Sequence, residues 1–272
     1  MLSVTDLTAF QFCPRKLFFS KVLKLQEPLK DSVVIGGIKH KIIEGMPSLD
    51  KEMAHNLTKE IAYDQFVQEY IMQSTTSLRM IIVQQKEALR RVEVPLDAAF
   101  DMTKPLAVSE AEKRAKRIYD FGHANQIFGA ELWENLSPKE KPEYSLSSHA
   151  LQLKGRIDAL KISIDKIVPV EHKSGQPPQE GAWSGHKLQL AAYALLLEEM
   201  FETKIPHGVV NYFDTGQQRE IPINIFAKEE VKQMIPLVRA LLEGKNTPPV
   251  IDNPNKCKSC GFYSHCEKEL KC

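Results

Sequence analysis

The sequence predicts an α/β (α+β) protein in which a mixed sheet is flanked by helices and preceded by a helical insert. Three observations carry that expectation. Residues up to about 142 show helical patterning, residues 143–244 read as β-β-β-α-β-β-α, and four of the five cysteines crowd into the last sixteen residues. A chain of 272 residues can bury a sizeable core as one large domain or two small ones. Its 43% hydrophobic and 26% charged residues are ordinary for a soluble globular protein. A formal net charge of +1 gives no global basic field, so a nucleic-acid partner would need a local patch.

In chain order, SVTDLTAFQFCPRKLFFSKVL reads as a helix capped by Ser3 or Thr5, with Leu7, Phe10, Leu17 and Phe18 at helical spacing. Pro14 is expected to break or restart it. IGGIKHKIIEGM, 35–46, is expected to start a further helix with His40 and Glu44 on one face. IAYDQFVQEYIMQ and SLRMIIVQQKEALRRV are amphipathic, and VEVPLDAAFDMTKP, with two prolines, is expected to interrupt the helices. SEAEKRAKRIYDFGHANQIFGAELWENL carries a basic run at Lys113, Arg114, Lys116 and Arg117. Beyond Pro142, YSLSSHALQLKGRIDALKIS alternates like two strands with a tight turn near His149, and DKIVPVEHKSG supplies a third. AWSGHKLQLAAYALLLEEMF is a long helix, HGVVNYFDT and REIPINIF are strands, and KEEVKQMIPLVRALLEG is a last helix ending at Gly244. The expected division is 1–45, an N-terminal helical segment; 46–142, the insert; 143–244, the core; and 245–272, the cysteine cluster. The longest apolar run, LAAYALLL, is too short to span a bilayer, and the N-terminus lacks the apolar core of a signal peptide. A cytoplasmic protein with no membrane partner is expected.

The chemistry concentrates in GRIDAL, 155–160, and PVEHKSGQ, 169–176. A strand that only had to pack would not end on Glu171, His172 and Lys173, since Glu and Lys are rarely buried without a partner or a task. Residues two apart on a strand share a face, so Glu171 and Lys173 point the same way. Neighbouring strands lie about 5 Å apart, which lets Asp158 and Glu171 share one divalent ion. Hard cations such as Mg²⁺ take oxygen ligands and keep waters, and Lys173 would stand beside them.

On these residues the sequence resembles the PD-(D/E)xK nuclease superfamily, a restriction-endonuclease-like fold, and within it the RecB-like branch. GRID matches the branch's G-x-x-D, EHK its E-x-K, QLAAY its Q-x-x-x-Y and GGIKH its G-x-x-x-H. The resemblance implies that His40, Asp158, Glu171 and the backbone carbonyl of His172 ligate Mg²⁺ or Mn²⁺. It makes Asp158, Glu171 and Lys173 catalytic, with Lys173 as the catalytic lysine, and Gln189 and Tyr193 part of the DNA path.

CKSCGFYSHC is C-x₂-C-x₅-C, a ligand knuckle that zinc could use. It lacks a second nearby pair, and Cys13 is the available distant thiol; iron–sulfur clusters accept four thiolates at irregular spacing. The arrangement resembles the iron staple of RecB-like nucleases, in which a [4Fe–4S] cluster on Cys13, Cys257, Cys260 and Cys266 clips the chain's ends together. Cys272 is left over and is not expected to be a ligand.

A RecB-like core with four cysteines and no G-x-x-x-x-G-K-[ST] loop resembles the CRISPR-associated (Cas-four) exonuclease family. The resemblance covers 1–45 and 143–272; the insert matches no motif. It implies a metal-dependent DNA exonuclease, 5′→3′ on single strands, that trims fragments for spacer acquisition with the CRISPR integrase proteins. The basic run at 113–117 would touch phosphates, or form a solvated face paired with Glu110 and Glu112. Two alternatives stand beside this: a RecB-like repair, recombination or viral nuclease, and a catalytically silent iron–sulfur module that binds DNA.

Overall fold

Ser3 begins the fold by capping the first helix reciprocally: its hydroxyl accepts from the Asp6 amide at 3.1 Å while its own amide donates to the Asp6 carboxylate at 2.8 Å. The computed structural model describes residues 1–244 and 246–270, with side chains up to 267; Cys272 lies outside the described residues. Strand β1 (Leu2–Ser3) leads into α1 (Val4–Phe12), and Pro14 opens α2 (Pro14–Lys21) at the position where its missing N–H costs nothing. The short β1 was not expected from the sequence, where Ser3 served only as a cap.

The helical half comprises α3 (Asp31–Asn56), α4 (Tyr63–Gln84), α5 (Lys86–Arg91), α6 (Leu96–Asn125) and α7 (Gly129–Asn135). The expected boundary at 45/46 falls inside α3. The expected interruption over 92–105 is confined to residues 92–95, between α5 and α6. Pro95 is the N-cap of α6, and Pro105 sits within the helix beyond an exposed Asp101, whose freed carbonyl can be met by water.

The second half follows the expected order. Strands β2 (Lys139–Ser148), β3 (Leu153–Ile162) and β4 (Ile167–Lys173) precede α8 (Ser184–Phe201), then β5 (His207–Tyr212), β6 (Gln217–Pro222) and α9 (Ile225–Glu243). Two short helices, α10 (Pro254–Ser259) and α11 (Tyr263–Leu270), end the described chain. The sheet runs β1-β3-β4-β5-β6, with β2 also on β3; β1–β3 and β4–β5 are parallel and the other pairs antiparallel. The architecture is therefore a mixed sheet flanked by helices. Among the described residues no helix is long and apolar enough to cross a membrane.

Two apolar cores form rather than one. The first packs α1, α8 and α9 on the sheet through residues such as Leu7, Leu190, Tyr193 and Val238. The second lies among α3, α4, α6 and α7, around Ile38, Tyr70, Leu78 and Ile118. The seam between them is polar. Arg114, from α6, is buried there, donating to Asp50 of α3 at 2.6 Å and to both Glu140 oxygens of β2 at 3.1 Å. Tyr70 donates to the other Asp50 oxygen at 2.5 Å. So the basic run divides: Arg114 is structural, while Lys113 and Lys116 pair with Glu110 and Asp120 on the helix surface.

Burial alone would raise the Glu140 pKa, but the charges of Arg114 and Lys161 hold it below a carboxylate's ordinary value. A group whose native pKa is depressed stabilises the fold above its unfolded pKa and loses that stabilisation as pH falls through the native one. Glu140→Gln should cost about 2 kcal/mol at neutral pH and nothing in acid below the native titration, measured as urea unfolding from pH 7 to pH 3.

Candidate active site

The site forms where two strands part. Pairing between β3 and β4 runs from Ile162–Ile167 to Ala159–Val170 and stops; Glu171, His172 and Lys173 pair with β5 alone on the far side. Groups freed by the parting need other partners. The His172 amide donates to Asp158 Oδ2 at 2.8 Å, so a side chain replaces the ladder. The Arg156 carbonyl accepts from the Tyr193 hydroxyl of α8 at 2.7 Å.

Glu171 is the centre of the arrangement. It is 2% exposed, and its Oε1 accepts from Lys173 Nζ and from Gln189 Nε2, each at 2.7 Å. Gln189 also accepts from Lys173 at 3.0 Å and donates to the Tyr193 hydroxyl at 2.9 Å. Tyr193, Gln189, Glu171 and Lys173 are thus one connected chain. Glu171 Oε2 is buried with no hydrogen-bond partner. Burial pushes the Glu171 pKa up to about 8; Lys173 opposes the rise and the charge of Asp158 adds to it.

His40 approaches from α3, with Nδ1 3.7 Å from Asp158 Oδ2. Burial lowers its pKa, while the charge of Asp158 pulls the other way. The His172 ring points to the opposite face of the sheet, stacked on Phe213 with centroids 5.1 Å apart, and burial holds its pKa down at about 4. His186 was not anticipated. It stands at positions i, i+3 and i+7 with Gln189 and Tyr193 along α8, a spacing visible in the sequence. Its Nδ1 lies 3.0 Å from the Tyr212 hydroxyl, and burial with the nearby Lys173 charge pushes its pKa down to about 4.

Two carboxylates, one carrying a buried unpartnered oxygen, and an imidazole make a donor set that suits a hard divalent cation. Among the described residues, no three His, Cys, Asp or Glu side chains converge closely enough to hold a metal as they stand. The Lys173 ammonium occupies the inner oxygen of Glu171 instead.

Cys13, Cys257, Cys260 and Cys266 line one cavity of about 30 Å³ that also touches Arg15, Lys16 and Lys256. Burial pushes the Cys260 and Cys266 thiols up, and nearby cations pull them down. The cations beside them favour thiolates, but the net direction for both is upward, and the four sulfurs do not converge closely enough to hold a metal as they stand. The C-terminal turn is fixed to the N-terminal region: Glu27 accepts from the Gly261 amide and from Lys16, each at 2.9 Å, and Lys30 donates to Ser259 at 3.1 Å. Gly261 has no room for a β-carbon because the Glu27 side chain lies there.

A profile of the PD-(D/E)XK nuclease superfamily matches residues 1–267. A "CRISPR-associated exonuclease Cas4/endonuclease Cas1 fusion" of Myxococcus xanthus is 34% identical over 48% of this chain and 24% of its own length. A "CRISPR-associated exonuclease Cas4" of Francisella tularensis subsp. novicida is 26% identical over 62% of this chain and 82% of its own. A "DNA replication ATP-dependent helicase/nuclease JHS1" of Arabidopsis thaliana is 22% identical over 98% of this chain and 20% of its own. The chain spans about a quarter of the length of the Myxococcus relative.

Gly155 explains the first letter of GRID. A β-carbon there would lie 2.8 Å from Tyr193 Cε1 and 2.9 Å from Val4 Cγ2. Gly155→Ala should displace Tyr193 and cost about 1–3 kcal/mol by overpacking, read from chemical denaturation. Unchanged stability would mean the ring has room to move.

Proposed function

The chain belongs to the PD-(D/E)XK nuclease superfamily, and from that premise we propose that it is a metal-dependent DNA exonuclease, 5′→3′ on single strands, that prepares fragments for CRISPR spacer acquisition. The observation that carries the chemical part is Glu171. A carboxylate this buried, with one oxygen on a lysine, the other without a partner and Asp158 alongside, is costly to keep unless a cation is to be met there. His40, Asp158, Glu171 and the carbonyl of His172 would hold Mg²⁺ or Mn²⁺. A divalent ion there supplies Lewis-acid chemistry for phosphodiester hydrolysis.

The chain's own residues have separate tasks in this reading. Lys173 places its ammonium where negative charge develops on the phosphoryl group. Gln189 holds both Lys173 and Glu171, and Tyr193 holds Gln189, so the DNA-facing helix α8 orients the site. The CRISPR setting is supported by the names of the Myxococcus and Francisella relatives, and a Cas1-type partner by the fusion to an endonuclease Cas1 in the Myxococcus protein. A replication or repair role is the second reading, favoured by the alignment with the Arabidopsis protein across nearly the whole chain.

Cys13, Cys257, Cys260 and Cys266 would hold a [4Fe–4S] cluster as a cross-link between the two ends. Anaerobically purified protein should then carry about four iron atoms per chain and a broad visible absorbance, both lost in Cys13→Ser. Stoichiometric zinc without colour would replace the cluster with a zinc knuckle.

The activity test uses single-stranded DNA labelled at the 5′ or 3′ end, with Mn²⁺ or Mg²⁺. Lys173→Ala should slow degradation roughly 10²–10³-fold and chelator should abolish it, with the 5′ label released first. Degradation by the variant at the wild-type rate would remove Lys173 from the site, and intact DNA in all samples would sink the exonuclease reading.

A further inference from the structure

Across the sheet from Glu171 lies a cavity of about 510 Å³, within the size range of small-molecule sites. Helices α3 and α6 form one wall and the sheet the other; of the residues assigned to metal and DNA above, His172 lines it and His40 packs on the lining ring of Phe213. The carboxylates that line it are engaged. Glu140 holds Arg114, Glu110 holds Lys113, and Asp214 holds Lys39 and the Gly175 amide. One lining cation forms no ion pair among the described residues, Arg117, whose Nη2 donates to the Pro138 carbonyl at 2.9 Å; Lys161, whose side chain makes no hydrogen bond, stands across from Glu140 on β2 and acts on that carboxylate by charge alone.

Three lining residues carry a buried nitrogen without a hydrogen-bond partner: Arg114 Nε, Arg117 Nε and His172 Nε2. Arg114 Nε is 3.9 Å from Glu110, beyond hydrogen-bond reach. The two arginine nitrogens can only donate. The tautomer of His172 follows from its neighbour: the Asn211 amide nitrogen, a donor, faces Nδ1 at 3.4 Å, which leaves the proton on Nε2. His172 is 5% exposed, so this donor is deeply placed. Five lining cations, Lys39, Lys113, Arg114, Arg117 and Lys161, stand against three carboxylates, Glu110, Glu140 and Asp214, and this excess of positive charge points to an anion with several acceptor oxygens.

We propose that this cavity binds the terminal phosphate monoester of a nucleotide. A monoester presents three terminal oxygens and close to two negative charges near neutral pH, which matches the donors and cations better than a singly charged diester does. The proposal rests on the nucleic-acid reading of the adjoining site, with which it shares His172: the amide of that residue holds Asp158 and its ring walls the cavity. The monoester belongs either to a released nucleotide or to the phosphorylated end of a strand.

The test is binding in chelator, where no hydrolysis intervenes and failure of the exonuclease reading leaves the result intact. Calorimetry would compare deoxyadenosine monophosphate with deoxyadenosine, and a 5′-phosphorylated short oligonucleotide with its 5′-hydroxyl form. The monophosphate should bind at least about tenfold more tightly than the nucleoside, and Lys161→Gln and Arg117→Gln should each weaken it about tenfold. Lys116→Gln, on the outer surface of α6, should not. A phosphate preference shown only by the oligonucleotide assigns the site to strand ends; one shown by the mononucleotide assigns it to released product. Should Arg117→Gln fail to fold in a thermal melt, Lys161→Gln decides, because that side chain makes no hydrogen bond. No preference for phosphate in either pair, or wild-type affinity in Lys161→Gln, overturns the proposal.

Discussion

The parting of β3 from β4 after Ala159 and Val170 is the constraint on which the rest of the site depends. Were the ladder to continue, the His172 amide would pair with backbone and Asp158 would face a closed sheet. Because it stops, the chain must supply side chains for the freed backbone groups, and Asp158 and Tyr193 do so. Each of these residues therefore has a structural task that fixes its position. Asp158 is held at the strand edge by the amide it accepts from, and Tyr193 is held over Gly155 by the carbonyl it donates to. The opened space is where two carboxylates and a lysine meet.

That meeting is expensive in free energy. Glu171 is buried, and burial disfavours its charged form, as the raised pKa records. Lys173 and Gln189 offset part of the cost through one oxygen only. A purely structural strand end would have put an apolar residue at 171, since replacing buried ion pairs by packed apolar groups is often neutral or stabilising. Retaining the carboxylate in such surroundings is what supports the proposed catalytic reading.

The sequence made the core and its site largely legible, because both rest on local signals. Alternation, an apolar α8 and turn residues placed β2 through α9, and the two-residue spacing of Glu171 and Lys173 put them on one face. What escaped was set by tertiary packing. Pro105 looks like a helix end in sequence, yet α6 continues through it while burying residues from Ala99 to Gly122 against α3, α4 and the seam. Arg114 is indistinguishable in sequence from Lys113 and Arg117. Its burial follows from Asp50 and Glu140, 64 and 26 residues away. The role of Gly155 could not be read locally either, since the ring that excludes a β-carbon arrives from α8.

The same reasoning connects the two ends of the chain to the site. The cysteine-bearing turn touches Glu27 and Lys30, which immediately precede α3, and α3 carries His40 to Asp158. Closing contacts between segments more than 200 residues apart is entropically costly, and hydrogen bonds at an exposed surface contribute little against that cost. The small apolar cluster of Phe18, Phe19 and Phe262 adds burial at the junction but remains modest beside the two main cores. A strong cross-link among the four thiols is the element that would make this closure firm, and with it the approach of α3. The position of His40 would then be set from both sides, by the second core along the helix and by the junction of the termini at its start.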